Sequence, residues 1–189
     1  KRFLIHLDEQ QNLCIHEMVR QFAAEKLAED LSLQATIQRQ HCDYYIELLC
    51  GWWEKNESEH IVAHLLPQLD NIYAAWEWAF SQQRYELLSH AIIPFTQFHI
   101  YAGLFTDIHI RINSYYQRLQ KQRGQEPTAY QEMKSSLTYA SGAANYYQSN
   151  YKEAGRLLAE AKTEAHEHGY LYLLANIERY LGKLATISL

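Results

Sequence analysis

Glycine and proline are scarce in this chain, seven and three among 189 residues. That scarcity excludes a loop-rich all-β fold, which needs turn residues at short intervals. Cysteine offers no framework either. Cys14, Cys42 and Cys50 are odd in number, far apart and form no CxxC pair. A disulfide scaffold or zinc knuckle is excluded, and reduced thiols in a cytoplasmic protein are the expected reading. Cationic excess is absent too, since 17 Lys and Arg stand against 22 Asp and Glu, a net charge of −5. Gripping duplex nucleic acid needs the opposite balance, so no direct nucleic-acid binding is expected. No secretory signal opens the chain. Its most apolar stretch, Leu87 to Phe105, is interrupted by His90, Pro94, Gln97 and His99. A membrane span, and with it a membrane partner, is not expected.

What is abundant is apolar and helix-forming. Hydrophobic residues make up 48% of the chain, enough for a core, and Ala, Leu, Glu, Gln, Lys and Arg dominate long stretches. The first fifteen residues differ: Phe3, Ile5 and Leu7 alternate, a polar run Asp8 to Asn12 follows, and Leu13 and Ile15 alternate again. That pattern predicts a short β-hairpin with a polar turn. From Ile15 the apolar period becomes helical, through Met18, Val19, Phe22, Ala23 and Leu27. Asp30 and Ser32 mark a break and an N-cap. A second helix over about 32–53 carries Cys42, Tyr45, Ile46 and Leu49 on its buried face. Pro67 divides the next helical region in two. Further helices are predicted over about 85–101, 104–121, 127–148, 151–168 and from 170 onward. Gly103, Gly124, Asn150 and Gly169 sit at the joins, where a helix end favours a left-handed residue. Connections this short fold each helix back beside its predecessor.

One helix pair has tetratricopeptide-like spacing. Gly142 sits where two helices must approach closely, and Tyr151, Ala154, Leu158 and Ala161 follow at intervals of three and four. Tyr139-Ala140-Ser141-Gly142-Ala143 recurs loosely forty residues on as Arg179-Tyr180-Leu181-Gly182-Lys183, against a usual period of about 34. A degenerate earlier copy runs through Gly103, Phe105, Ile108, Ile112 and Tyr115. The expected fold is therefore all-α, a tetratricopeptide-like antiparallel helix-pair solenoid with a short N-terminal β-hairpin. An ordinary helical bundle is the alternative. No polar outer face caps the end at Leu189, so further repeats are expected beyond it.

Two segments resemble a known family. Leu13-Cys14-Ile15-His16-Glu17-Met18-Val19-Arg20-Gln21-Phe22-Ala23 looks like the end of the winged-helix subdomain of STAND-class signal-transduction NTPases, among them the NB-ARC proteins and bacterial transcriptional regulators. The family motif is Met-His-Asp, here Ile15-His16-Glu17, with the histidine kept. Leu69-Asp70-Asn71-Ile72-Tyr73-Ala74-Ala75-Trp76-Glu77-Trp78-Ala79 is similar to the segment opening the helical sensor region of bacterial members. The resemblance covers most of the chain and is weakest over 85–125. It implies three parts: residues 1–30 as the end of a winged helix, 31–83 as a helical linker, and 84–189 as repeats truncated at the C-terminus. It also implies that His16 touches the β-phosphate of ADP in the intact parent. A structural histidine at the hairpin–helix junction is the alternative.

No GxxxxGK[ST] loop occurs here, so ADP or ATP is expected only in the parent and no cofactor in this chain. His60 and His64 have metal-ligand spacing, but Ile61 replaces the glutamate a zincin needs, and no metal site is expected. No nucleophile context or acid pair stands out, so no catalytic residue is expected and the chain is read as a non-enzyme. The candidate ligand groove comes from helix phase: Tyr139, Tyr146 and Tyr147, joined by Asn176, Arg179 and Lys183. Basic groups and an amide beside aromatic rings suit an acidic peptide, a sugar or a phosphorylated ligand. The expected function is partner or inducer sensing coupled to a nucleotide switch, or a scaffold that binds a partner without switching.

Overall fold

The computed structural model describes residues 5–7, 13–54, 58–122 and 127–187. The polar run Asp8 to Asn12, Gly124 and the side chain of His60 lie outside the described residues. Two compact units are formed, Lys1–His41 and Cys42–Leu189. In the first, β1 (Ile5–Leu7) and β2 (Leu13–Ile15) pair antiparallel, with Ile5 opposite Ile15 and Leu7 opposite Leu13. Helix α1 (Glu17–Ala28) begins at His16, whose extended backbone (φ −62°, ψ 139°) marks an N-cap. His16 Nδ1 accepts from the Met18 N–H at 3.2 Å. Met18 and Phe22 are 71% and 61% exposed, and α1 buries no residue. The apolar period from residue 15 to 27 therefore makes a face without making a core.

Helix α2 (Leu31–Glu54) crosses the boundary between the units. Asp30 starts it, its Oδ1 accepting from the Leu33 N–H at 2.9 Å. In the second unit its buried face is Cys42, Ile46 and Leu49, with Tyr45 half-buried. Helix α3 (Ser58–Leu65), a 3₁₀ turn over Leu66–Gln68 and helix α4 (Leu69–Ser81) follow. Pro67 lies in that turn, where a tighter helix loses less from a missing N–H.

Helix α5 (Tyr85–Tyr101) is buried throughout from Ala91 to Ile100. A helix apolar on all sides belongs at the centre of a domain, and α5 packs on α3, α4, α7 and helix α6 (Phe105–Lys121). Helices α7 (Pro127–Tyr147), α8 (Tyr151–His168) and α9 (Leu171–Ile187) complete the unit. Helix α7 packs on α5, α6, α8 and α9. Trp76, Phe80, Phe95, Phe98, Tyr139 and Tyr180 are the largest side chains of one continuous core. Burying each stabilises the fold by about 2–3 kcal/mol before entropy is counted. Among the described residues no helix is long and apolar enough to cross a membrane.

Left-handed residues end the helices at Gly103 (φ 73°) and Gly169 (φ 75°), as the joins predict. At the α7–α8 join the left-handed residue is Ser149 (φ 63°), not Asn150 (φ −84°). Gln83 (φ 58°) plays the same part before α5. Gly142 marks a true close approach. A Cβ built there would stand 2.8 Å from Leu158 Cγ and 3.3 Å from the Leu158 backbone nitrogen. The leucine side chain could yield, but the α8 backbone could not without moving the helix. Gly142→Val is therefore expected to destabilise the unit by about 1–3 kcal/mol in urea unfolding, despite the better helix propensity of valine.

Candidate functional site

Helices α7 and α9 assemble most of the candidate groove. Tyr146 and Tyr147 close the last turn of α7, where neighbouring residues fan apart on the helix surface, and both are half-buried. From α9 come Arg179, Tyr180 and Lys183, one helical turn deep. The three tyrosines meet edge-on, with Tyr146–Tyr147, Tyr146–Tyr180 and Tyr147–Tyr180 centroids 5.2, 5.6 and 6.2 Å apart. Phe105, opening α6, stacks on Tyr147 at 5.6 Å and 3°. Aromatic pairs in these geometries add about 0.5–1.5 kcal/mol each to the area they bury.

Two cations lie on this surface. Lys183 Nζ is 5.2, 5.9 and 6.0 Å from the ring centroids of Tyr180, Tyr146 and Tyr147. The Arg179 guanidinium is 5.2 Å from that of Tyr180. Ring faces hold cations by their quadrupoles while leaving the N–H groups open to a further acceptor. Most other cations near carboxylates are paired, as Arg84 is with Asp43 and Lys162 with Glu178. No ion pair to Arg179 or Lys183 forms among the described residues.

Tyr139 is fully buried and lies beneath the surface, 6.0 Å from the Tyr180 ring. It cannot line a groove, because α7 is enclosed by other helices at this turn. Burial pushes its hydroxyl up to about 12, with Arg179 and Gln97 working in the opposite direction. Among the described residues the hydroxyl makes no hydrogen bond of normal geometry. Gln97, buried on α5, donates instead to the Tyr180 hydroxyl at 2.8 Å. Asn176 is not part of the cluster, since its amide donates to the Tyr172 carbonyl of its own helix at 3.0 Å. Helical phase alone missed Phe105 at the face, and Tyr180 and Gln97, which are buried like Tyr139 and support it from below. The available signals were the tyrosine between Arg179 and Lys183 and the lone amide in an apolar run.

His16 stands in the other unit, exposed at the start of α1. Its Nδ1 accepts a backbone hydrogen, so the neutral ring carries its own hydrogen on Nε2, which is left as a donor. A separate cleft of about 450 Å³ lies between α6, α7 and α8, lined in part by His109, Asn113, Ser141, Asn145, Arg156 and Glu160. Its charged and amide groups are largely engaged within their own helices: Arg156 with Glu153 and Glu160, and Asn113 with His109. Set beside the models of known protein families, the curated proteins and the solved structures, the chain matches none of them.

Proposed function

We propose that this chain is the partner- or inducer-sensing region of a STAND-type regulator, built as a tetratricopeptide-like stack of helix pairs. The pairs are α5 with α6 and α7 with α8, and α9 opens another. The aromatic and cationic face of α7 and α9 takes an acidic segment of a protein partner. Residues 1–30 pass that event to a nucleotide switch, with ADP or ATP, carried elsewhere in the parent. The observation that carries the repeat reading is the position of α7, which closes on α8 through Gly142 and also packs on α5, α6 and α9. A first helix in a stacked pair has those neighbours. Lys183 and Arg179, set over tyrosine rings and without an ion pair among the described residues, favour an acidic occupant.

The experiment uses the intact parent. Arg179→Glu with Lys183→Glu is expected to weaken capture of an acidic partner about tenfold or more, and to abolish its effect on ADP release. Unchanged ADP release on partner binding in the wild type would sink the switch. The second reading, a scaffold without switching, is favoured by the backbone cap at His16. His16→Ala discriminates the two, since a scaffold keeps the parent's nucleotide state unchanged.

A further inference from the structure

A second polar cluster joins α4, α5 and α6. His99 is fully buried on α5. Its Nδ1 lies 2.7 Å from the Phe95 carbonyl and its Nε2 2.8 Å from the Tyr73 hydroxyl of α4. The same hydroxyl bonds Asp107 Oδ2 of α6, and Arg111 Nε donates to that oxygen at 2.8 Å. The Arg111 guanidinium covers the Tyr73 ring, 3.2 Å from its centroid, while Tyr73 stacks on His99 at 5.6 Å.

The number of hydrogens is what makes this cluster unusual. A carbonyl only accepts, so Nδ1 must carry the hydrogen that meets Phe95. In a neutral ring Nε2 is then a bare lone pair and needs the Tyr73 hydrogen. An ionised Asp107 needs the same hydrogen, and Tyr73 has one. With all three groups in their ordinary neutral-pH states, one of the two contacts sets acceptor against acceptor. One further proton, on His99 or on Asp107, turns every contact into a hydrogen bond.

We infer that Tyr73, His99 and Asp107 form a proton-operated latch joining α4, α5 and α6, and that they take up one proton as a unit. The groups facing His99 are Tyr73 from α4, Asp107 and Arg111 from α6, and the Phe95 and Phe98 rings of its own helix. Burial pushes His99 down to about 4, against the Phe95 hydrogen bond and the Asp107 charge. Burial also works against the Asp107 carboxylate, but hydrogen bonds from Tyr73 and Arg111 hold it below its usual range. The cluster is one proton short at neutral pH, but burial makes that proton costly, so it is taken up only in acid and at the expense of stability.

Asp107→Asn removes the charge that competes with Nε2 for the Tyr73 hydrogen. Its amide oxygen can keep the Arg111 Nε bond, and the Tyr73 hydroxyl is free to donate to Nε2. The test follows the His99 ring nitrogens and the Tyr73 ring by NMR across the acid range, in the whole chain. The wild type should show the Nδ1–H tautomer at neutral pH and one acid step that moves His99 and Tyr73 together. In Asp107→Asn the His99 midpoint should fall by about one to three units, since an opposite charge at this range supports the cation that strongly. Tyr73→Phe keeps the ring stacking, removes the bridging oxygen and should uncouple His99 from Asp107. A His99 midpoint near 6.5, a neutral Nε2–H tautomer, or equal midpoints in wild type and Asp107→Asn would overturn the latch.

Discussion

Trp76→Ala is expected to lower the unfolding free energy of the second unit by about 3–5 kcal/mol, read from the midpoint of urea unfolding. Trp76 is fully buried on α4 and stacks on Phe95 of α5 at 3.9 Å. It lies 6.5 Å from the Tyr115 ring of α6. Removing it opens a cavity where three helices meet, and α5, buried from Ala91 to Ile100, has no room to collapse into it. Among the described residues the buried indole N–H has no partner, and an unmet donor costs about 1–3 kcal/mol. Trp76→Phe removes that donor while keeping most of the ring, so its loss should be well under half of the alanine loss. Equal losses in the two variants would mean that the N–H has a partner, or that packing at this site is loose.

Helix positions were legible because they depend on local spacing. The α5 and α8 ends match the apolar period to the residue, and Gly142 was legible because only one residue type lets two backbones come so near. Tyr146 and Tyr147 were read from helical phase and Arg179 and Lys183 from the forty-residue shift, and these side chains lie together around Tyr180. Phase gives a direction and not a depth, so Tyr139, seven residues before Tyr146 and on nearly the same face, was read as groove and lies in the core. The left-handed residues at Gln83 and Ser149 were not legible, because the surrounding turn overrides a modest local preference. The Tyr73–His99–Asp107 cluster was the least legible. Its members come from three helices, and only Asp107 and Arg111, four residues apart, leave a local trace. In the sequence His99 and Gln97 are interruptions of an apolar run. In the fold each is a polar side chain by which α5 reaches a neighbouring helix.

Acid should destabilise this protein earlier than its carboxylates would require. His99 has an ordinary value of 6.5 in the unfolded chain and is pushed down to about 4 by burial in the fold. Between those values the unfolded chain binds a proton that the folded chain refuses, so stability falls as pH drops through that window. The stabilisation is fully present above the unfolded value and fully lost below the folded one, and amounts to about 3 kcal/mol. Asp107, held below its usual range by Tyr73 and Arg111, adds a loss of the same sign, confined to pH below its unfolded value. Urea unfolding at steps from about pH 7 to about pH 4 measures the slope directly. His99→Gln keeps a polar contact to Tyr73 but cannot titrate, so its stability should be nearly flat over the same range and lower than wild type at neutral pH. Asp107→Asn should keep the His99 slope, because that variant still folds around a neutral imidazole, and the slope should run on to lower pH as the His99 midpoint falls, while the Asp107 contribution disappears. A wild-type profile as flat as that of His99→Gln would mean that the ring protonates freely in the fold, and neither its burial nor its partners would then govern its charge.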